Sequence, residues 1–241
     1  MNTARIAELL DPFLRAPIAG PENCWLTGLL QPCHSESAKP GEEAAGLFPA
    51  QLRSISTYID ILLRWNARIN LTAIRDPEEI VTRHFGESLF AARHLLPRTV
   101  SSAVENVEVA DVGSGAGFPG LPIKLWSPAV RLTLIESNYK KCAFLREVTR
   151  ALTLTDVNIK NARAQALPPA TFNVVTVRAV ERFESILPAA AGLVAPAGRL
   201  ALLIGSAQQD LARSTLPSLT WLDPSAIPHS QSRIVLIANK T

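Results

Sequence analysis

The chain is predicted to fold as an α/β protein, a doubly wound and mostly parallel sheet preceded by a helical extension. Three observations predict this. Short β-rich runs alternate with helical runs after Val104, the pattern of strands joined by crossover helices. Three glycines spaced two apart, Gly113, Gly115 and Gly117, follow the first of those runs. Before it the chain shows helical periodicity only, broken by one stretch with no periodicity at all.

The elements follow in order. Ile6, Leu9, Leu10, Phe13 and Leu14 recur at helical spacing over 3–15. From Ala16 to Gly46 prolines and glycines punctuate polar residues, which predicts a flexible insertion over 16–46. Periodicity returns at Leu47, and Leu52, Ile55, Tyr58, Ile59, Leu62 and Leu63 form the apolar stripe of a helix ending near Trp65. Asp76-Pro77-Glu78-Glu79 reads as a helix start, with Asp76 as cap, Pro77 in the first turn and Glu79 reaching back, and that helix is expected to run to about Leu95. Strands are predicted at 107–112, 131–136, 156–160, 172–178, 198–204, 218–222 and 233–239, and helices at 119–126, 139–152, 183–194 and 206–214. The expected organisation is a helical extension over 1–103 and a seven-stranded ligand-binding domain over 104–241.

Composition bounds the function. The chain has 241 residues, 47% of them hydrophobic and 19% charged, with a formal net charge of +3. This describes a globular protein of one α/β domain plus an extension. No apolar run approaches the ~20 residues that span a bilayer, and Met1-Asn2-Thr3-Ala4-Arg5 lacks the apolar core of a secretion signal. Three scattered cysteines, Cys24, Cys33 and Cys142, fit a reducing cytoplasm. The spacing of Cys24 and Cys33-His34 matches no zinc pattern, so no metal is expected. The mild positive charge permits an RNA partner without requiring one.

The segment Val109-Ala-Asp-Val-Gly-Ser-Gly-Ala-Gly-Phe-Pro-Gly carries the chemistry. Glycines let such a loop turn tightly and bring backbone against a ligand. A dinucleotide site requires Gly-x-Gly-x-x-Gly, whereas position 118 is Phe and Pro119 and Pro122 crowd the following helix start. Those prolines remove N–H groups that a pyrophosphate would use. Asp111 before the loop and Glu136 at the end of the second strand suggest a ligand with a ribose and a positive charge. Glu136 would lie in the crevice at the sheet's carboxyl edge, its two oxygens facing both ribose hydroxyls. The ligand indicated is S-adenosylmethionine, and the fold class becomes a Rossmann-like, class I methyltransferase.

At these residues the chain resembles a known family. The Asp111–Pro122 loop looks like the glycine motif of the RsmG (GidB) methyltransferases. Four further blocks agree: Arg64-Trp65-Asn66 with Asn70-Leu71-Thr72; Arg83-His84 with Ser88; Lys140-Lys141 with Phe144-Leu145; and Val177-Arg178-Ala179. Their order and spacing match over roughly 47–241, while 16–46 has no counterpart. The resemblance implies methylation of N7 of one guanosine in the 530 loop of 16S ribosomal RNA, as free RNA or in the small subunit. A cytoplasmic protein is expected from the cysteine usage and the N-terminal sequence, and a monomer is expected. The resemblance also implies that Gly113 and Phe118 line the cofactor pocket with Gly115 and Gly117, that Ala164 and Gln165 flank the adenine, and that Arg178 lies at the active site against cofactor and substrate.

Guanine N7 has a free lone pair and needs no base, so the reaction would depend on alignment. Groups that hold a guanine are therefore sought rather than an acid/base pair. Arg83, His84 and Glu87 fall on one helical stretch, with Arg83 and Glu87 at i, i+4. An arginine donates to guanine O6 or to phosphate, and a carboxylate accepts from the N1 and N2 protons. Asn70 is expected to shape the pocket, and Lys140 and Lys141 to meet phosphate oxygens. Two positions depart from the family pattern. Glu87 stands where aspartate is usual, and Ile204 where a lysine precedes Gly205, so Arg199 or Arg178 is expected to supply the missing cation. A methyltransferase acting on a small molecule or a protein, a non-catalytic RNA-binding relic and a dinucleotide oxidoreductase are the alternatives.

Overall fold

The computed structural model describes residues 1–18, 46–96, 107–178 and 183–241. Cys24, Cys33, His34, Ala179 and all but the ends of the 16–46 insertion lie outside the described residues.

Four helical segments come first. Helix α1 (Thr3–Arg15) is capped by Asn2, whose Oδ1 accepts from Ala4 N at 2.9 Å. Helix α2 (Pro49–Asn66) buries the apolar stripe centred on Ile55, Tyr58, Ile59 and Leu62. Asp76 caps α3 (Pro77–Ile80), accepting from Glu79 N at 2.8 Å. The Glu79 side chain does not return to the cap; its carboxylate pairs with Arg83 one turn on. The expected single helix to Leu95 is interrupted by a π-helical turn, Val81–Gly86, before α4 (Glu87–Leu95). A Cβ on Gly86 would fall 2.6 Å from the Phe13 ring, so glycine is what lets α1 cross this turn.

The sheet is built from β1 (Glu108–Val112), β2 (Arg131–Ile135), β3 (Val157–Lys160), β4 (Phe172–Arg178), β5 (Val194–Gly205), β6 (Thr220–Trp221), β7 (Ser225–Ala226) and β8 (Arg233–Asn239). Its order is β3-β2-β1-β4-β5-β8-β6, with β7 also paired to β8. Pairings among β1 to β5 are parallel, and those of β8 with β5, β6 and β7 are antiparallel. Among the described residues the sheet thus has eight strands rather than seven. The additional strand is two residues long, too short for any alternation to mark it. Strand β5 also begins four residues before the expected start and takes Val194 from the end of the predicted helix.

Helices α5 (Gly120–Trp126) and α6 (Tyr139–Ala151) join α1 to α4 in one apolar core against one sheet face. Helices α7 (Phe183–Leu193) and α8 (Gln209–Thr215) cover the other face. Along β1, β4 and β5 successive residues alternate between the two cores, as in Val174 and Val175 or Ala201 and Leu202. The strand order reverses between β1 and β4, so the loops after β1, β2 and β4 converge at the carboxyl edge. Among the described residues no helix is long and apolar enough to cross a membrane.

Candidate active site

The loop after β1 is held from three sides. Gly113 N and Ser114 N donate to Ile135 O, and Gly115 N donates to Glu136 Oε2 at 2.9 Å. Gly113, Gly115 and Gly117 all have positive φ, at 72°, 54° and 85°. Gly117 is the tightest: a Cβ there would lie 2.7 Å from Leu121 Cδ1 and collide with the Tyr58 hydroxyl. Asp111 is buried, and its oxygens accept from Thr176 Oγ1 at 2.9 Å and Gly120 N at 3.2 Å. Burial pushes its carboxyl up to about 6, against those hydrogen bonds and the nearby Arg178 charge. In this arrangement Asp111 ties the loop to β4 and to the start of α5. The first N–H groups of α5 are occupied too, since Leu121 N donates to Gly117 O and Ile123 N to Pro119 O. With Pro122 between them, that helix end offers nothing to a pyrophosphate.

Glu136 stands across from the loop at the end of β2. Its Oε1 accepts from Asn138 N at 2.7 Å, and Asn161 Nδ2 donates to its carbonyl at 3.0 Å. These bonds fix the carboxylate and leave each oxygen a lone pair for a hydroxyl donor. The residues therefore fit a cofactor carrying a ribose diol. Ala164 and Gln165 lie on a short 3₁₀ turn after β3, Ala164 buried and Gln165 exposed, outside the cleft lining.

Phe118, joined to Pro119 by a cis peptide bond, turns inward from the loop. Its ring stacks against Tyr58 at 5.3 Å and His84 at 4.7 Å and meets Phe85 edge-on. Tyr58 Oη donates to Ala116 O at 2.5 Å, so α2 holds the glycine loop directly. Sequence reasoning missed this role, because Tyr58 sits in the same apolar stripe as ordinary core residues.

Below this stack the structure brings Arg83, His84, Glu87 and Arg178 together. Arg178 Nη2 donates to Arg83 O at 2.6 Å and lies 3.2 Å from both His84 Nδ1 and Glu87 Oε2. The Glu87 carboxylate is 2% exposed and faces three guanidiniums, with Arg83 Nε at 3.2 Å and Arg233 Nη2 at 2.6 Å on Oε1. Burial pushes Glu87 up, and Arg178 and Arg83 pull it back. Glu87 thus organises arginines in this structure. Arg233, at the start of β8, was not among the expected residues; it opposes Gly205 in the register. Burial and the charges of Arg178 and Arg83 lower His84 to about 3, so the ring is neutral at pH 7.

The cleft, about 280 Å³, is lined by Leu71, Thr72, His84, Phe118, Lys141, Arg178 and the loop residues Gly113 to Ala116. Asn70 is exposed beside this lining. The buried Asn66 builds the turn instead, accepting from Leu71 N and Thr72 N and donating to Thr72 O. Lys140 is exposed at the start of α6, whose cap is Asn138. Ile204 is packed in the second core. Arg199 pairs with Val174, whereas Arg178 pairs with Leu203. That puts Arg199 four residues, roughly 13 Å, toward the opposite end of the sheet, so it cannot supply a cation here. Arg178 and Arg233 both stand at the carboxyl end, where they meet Glu87.

A family described as rRNA small subunit methyltransferase G (GidB) matches residues 51–231. The protein named ribosomal RNA small subunit methyltransferase G from Halorhodospira halophila is 40% identical over 190 residues, 78% of this chain and 87% of that protein. The protein of the same name from Xanthomonas euvesicatoria is 36% identical over 177 residues, 73% of this chain and 79% of its own length. Among solved structures, a ribosomal protein L11 methylase from Lactobacillus delbrueckii subsp. bulgaricus superposes with a TM-score of 0.53 at 13% identity, covering 66% of this chain and 79% of that one. That likeness speaks for the fold alone. The match over 51–231, together with relatives 36% and 40% identical over the aligned residues, shows the family: the chain belongs to the rRNA small subunit methyltransferase G family.

Proposed function

We propose that the protein transfers the methyl group of S-adenosylmethionine to N7 of a guanosine in the 530 loop of 16S ribosomal RNA, acting in the cytoplasm as a monomer without a metal. Family membership across residues 51–231 carries this reading. When bound, S-adenosylmethionine supplies a methyl group already activated by its sulfonium centre. Glu136 takes the ribose hydroxyls, Gly113, Gly115 and Gly117 give the loop its concave backbone, and Ala164 and Gln165 border the adenine. Asp111 acts as a positioning residue through Thr176 and Gly120 N. Arg178 and His84 form the floor against which the guanine is held, with Arg83, Glu87 and Asn70 around them. Guanine N7 is a neutral nucleophile, so these residues have orientation to provide rather than proton transfer, an effect that contributes ~7–11 kcal/mol in favourable cases. Lys140 and Lys141 suit the flanking phosphates.

The test uses labelled S-adenosylmethionine with small-subunit RNA lacking this modification, followed by mapping of 7-methylguanosine through borohydride and aniline cleavage. One strand break in the 530 loop is expected. Labelling of proteins or metabolites but not RNA would refute the reading. Calorimetry adds a check on the cofactor: Glu136→Ala should weaken binding at least about tenfold, as loss of charge-assisted hydrogen bonds requires.

A further inference from the structure

The cleft contains a hydrogen-bond chain whose proton positions follow from one fact. An arginine can only donate. Arg178 Nη2 shares its two protons among Arg83 O, Glu87 Oε2 and His84 Nδ1, the last at 3.2 Å, so that nitrogen accepts in this contact. The ring is neutral and carries one proton, which is therefore assigned to Nε2. Nε2 lies 2.8 Å from Thr72 Oγ1 and donates to it. Ile74 N donates to the same oxygen at 3.1 Å. Both lone pairs of Thr72 Oγ1 are then filled, and its own proton must be given to something else. Thr72 lines the cleft, and the neighbouring Arg178 Nη1 is a buried donor with no partner among the described residues. The Thr72 hydroxyl thus faces the cleft beside the rings of Phe118 and His84.

We propose that the Thr72 hydroxyl donates a hydrogen bond to O6 of the target guanine and selects guanine over adenine. The proposal rests on the reading of the reaction given above. Along the edge that bears N7, guanine presents the O6 acceptor where adenine presents an N6 amino donor. A hydroxyl whose lone pairs are already used rewards the first and opposes the second, because a donor facing a donor leaves both unpaired. N7 itself stays free to react. Asn66 is the positioning residue, since its side-chain bonds to Thr72 N and Thr72 O set where the hydroxyl stands.

The experiment compares Thr72→Val, Thr72→Ser and the wild-type protein on small-subunit RNA carrying either guanosine or 2-aminopurine riboside at the target position. 2-Aminopurine retains N7 and has a C–H in place of O6. Thr72→Val is expected to lower kcat/KM about tenfold with guanosine and to cost nearly nothing with 2-aminopurine, while Thr72→Ser stays close to wild type. Cofactor affinity measured by calorimetry is expected to be unchanged. An equal loss on both substrates would mean a structural role and would overturn the proposal. The ¹⁵N spectrum of His84 tests it without any variant at Thr72: a proton on Nδ1 would make Thr72 a donor to histidine, and the proposal falls. A wild-type protein that fails to label the guanosine RNA overturns the reaction itself. Labelling by the wild type without the Thr72 dependence overturns this inference alone.

Discussion

Replacing Tyr58 with phenylalanine removes one oxygen atom and leaves the aromatic stack in place. The ring would keep its contacts with Phe118, Phe85 and Phe144, so apolar burial hardly changes. What is lost is the hydrogen bond from Oη to Ala116 O. Both groups are buried, which leaves the Ala116 carbonyl without a donor. An unmade buried bond of this kind costs about 1–3 kcal/mol. The Tyr58 hydroxyl is also held well above its ordinary pKa by burial and by the Asp111 charge, so it remains a neutral donor throughout the physiological range. Urea unfolding of Tyr58→Phe should show that loss in the midpoint with an unchanged slope. Calorimetry should show weaker cofactor binding, because the loop must be ordered at the moment of binding instead of beforehand. A stability change below about 0.5 kcal/mol, with cofactor affinity intact, would refute the claim that α2 anchors the glycine loop.

Two further outcomes are expected. Gly117→Ala would combine a positive φ with a Cβ crowding Leu121, Leu145 and the Tyr58 hydroxyl; the summed cost is about 2–5 kcal/mol, read by chemical denaturation. The third concerns pH. His84 is lowered from 6.5 to about 3 in the folded state, so its contribution is complete above pH 6.5 and is lost as pH falls toward 3. At pH 5 the loss reaches at most about 2 kcal/mol. Asp111, raised to about 6, works in the opposite direction, being relatively favourable at low pH and losing that advantage as pH rises through 6. The measurement is therefore the difference between His84→Gln and wild type: the variant should lose less stability between pH 7 and 5. Parallel pH profiles for the two proteins would contradict the neutral, half-buried histidine.

The fold was largely legible because strand and helix periods are local. The 3.6-residue stripe of α2, the cap at Asp76 and the run into Gly113 all show in neighbouring residues. Strand β7 escaped because two residues carry no period. The π turn at 81–86 is not visible locally; Phe13 packs over its last residue, Gly86, a contact between distant segments. The site divides the same way. Asp111, the glycines and Glu136 could be placed from strand ends alone. Arg233 could not, since it reaches Glu87 only through the pairing of β8 with β5, which no local pattern announces. Arg199 shows the converse error: its place in sequence near Gly205 suggested proximity to the site, and the strand's length carries it away. Tyr58 needed knowledge of which loop its buried hydroxyl would meet.

The three guanidiniums on Glu87 come from Arg83, Arg178 and Arg233, and they leave the ribosome in that order. A nascent chain that has emerged only through β5 already holds the glycine loop, Glu136 and two of the three. The last arrives with β8, the strand that slots between β5 and β6. Completion of the arginine cluster on Glu87 and completion of the sheet are thus a single late event in the protein's synthesis. Vectorial assembly withholds a finished site from any chain whose fold is unfinished.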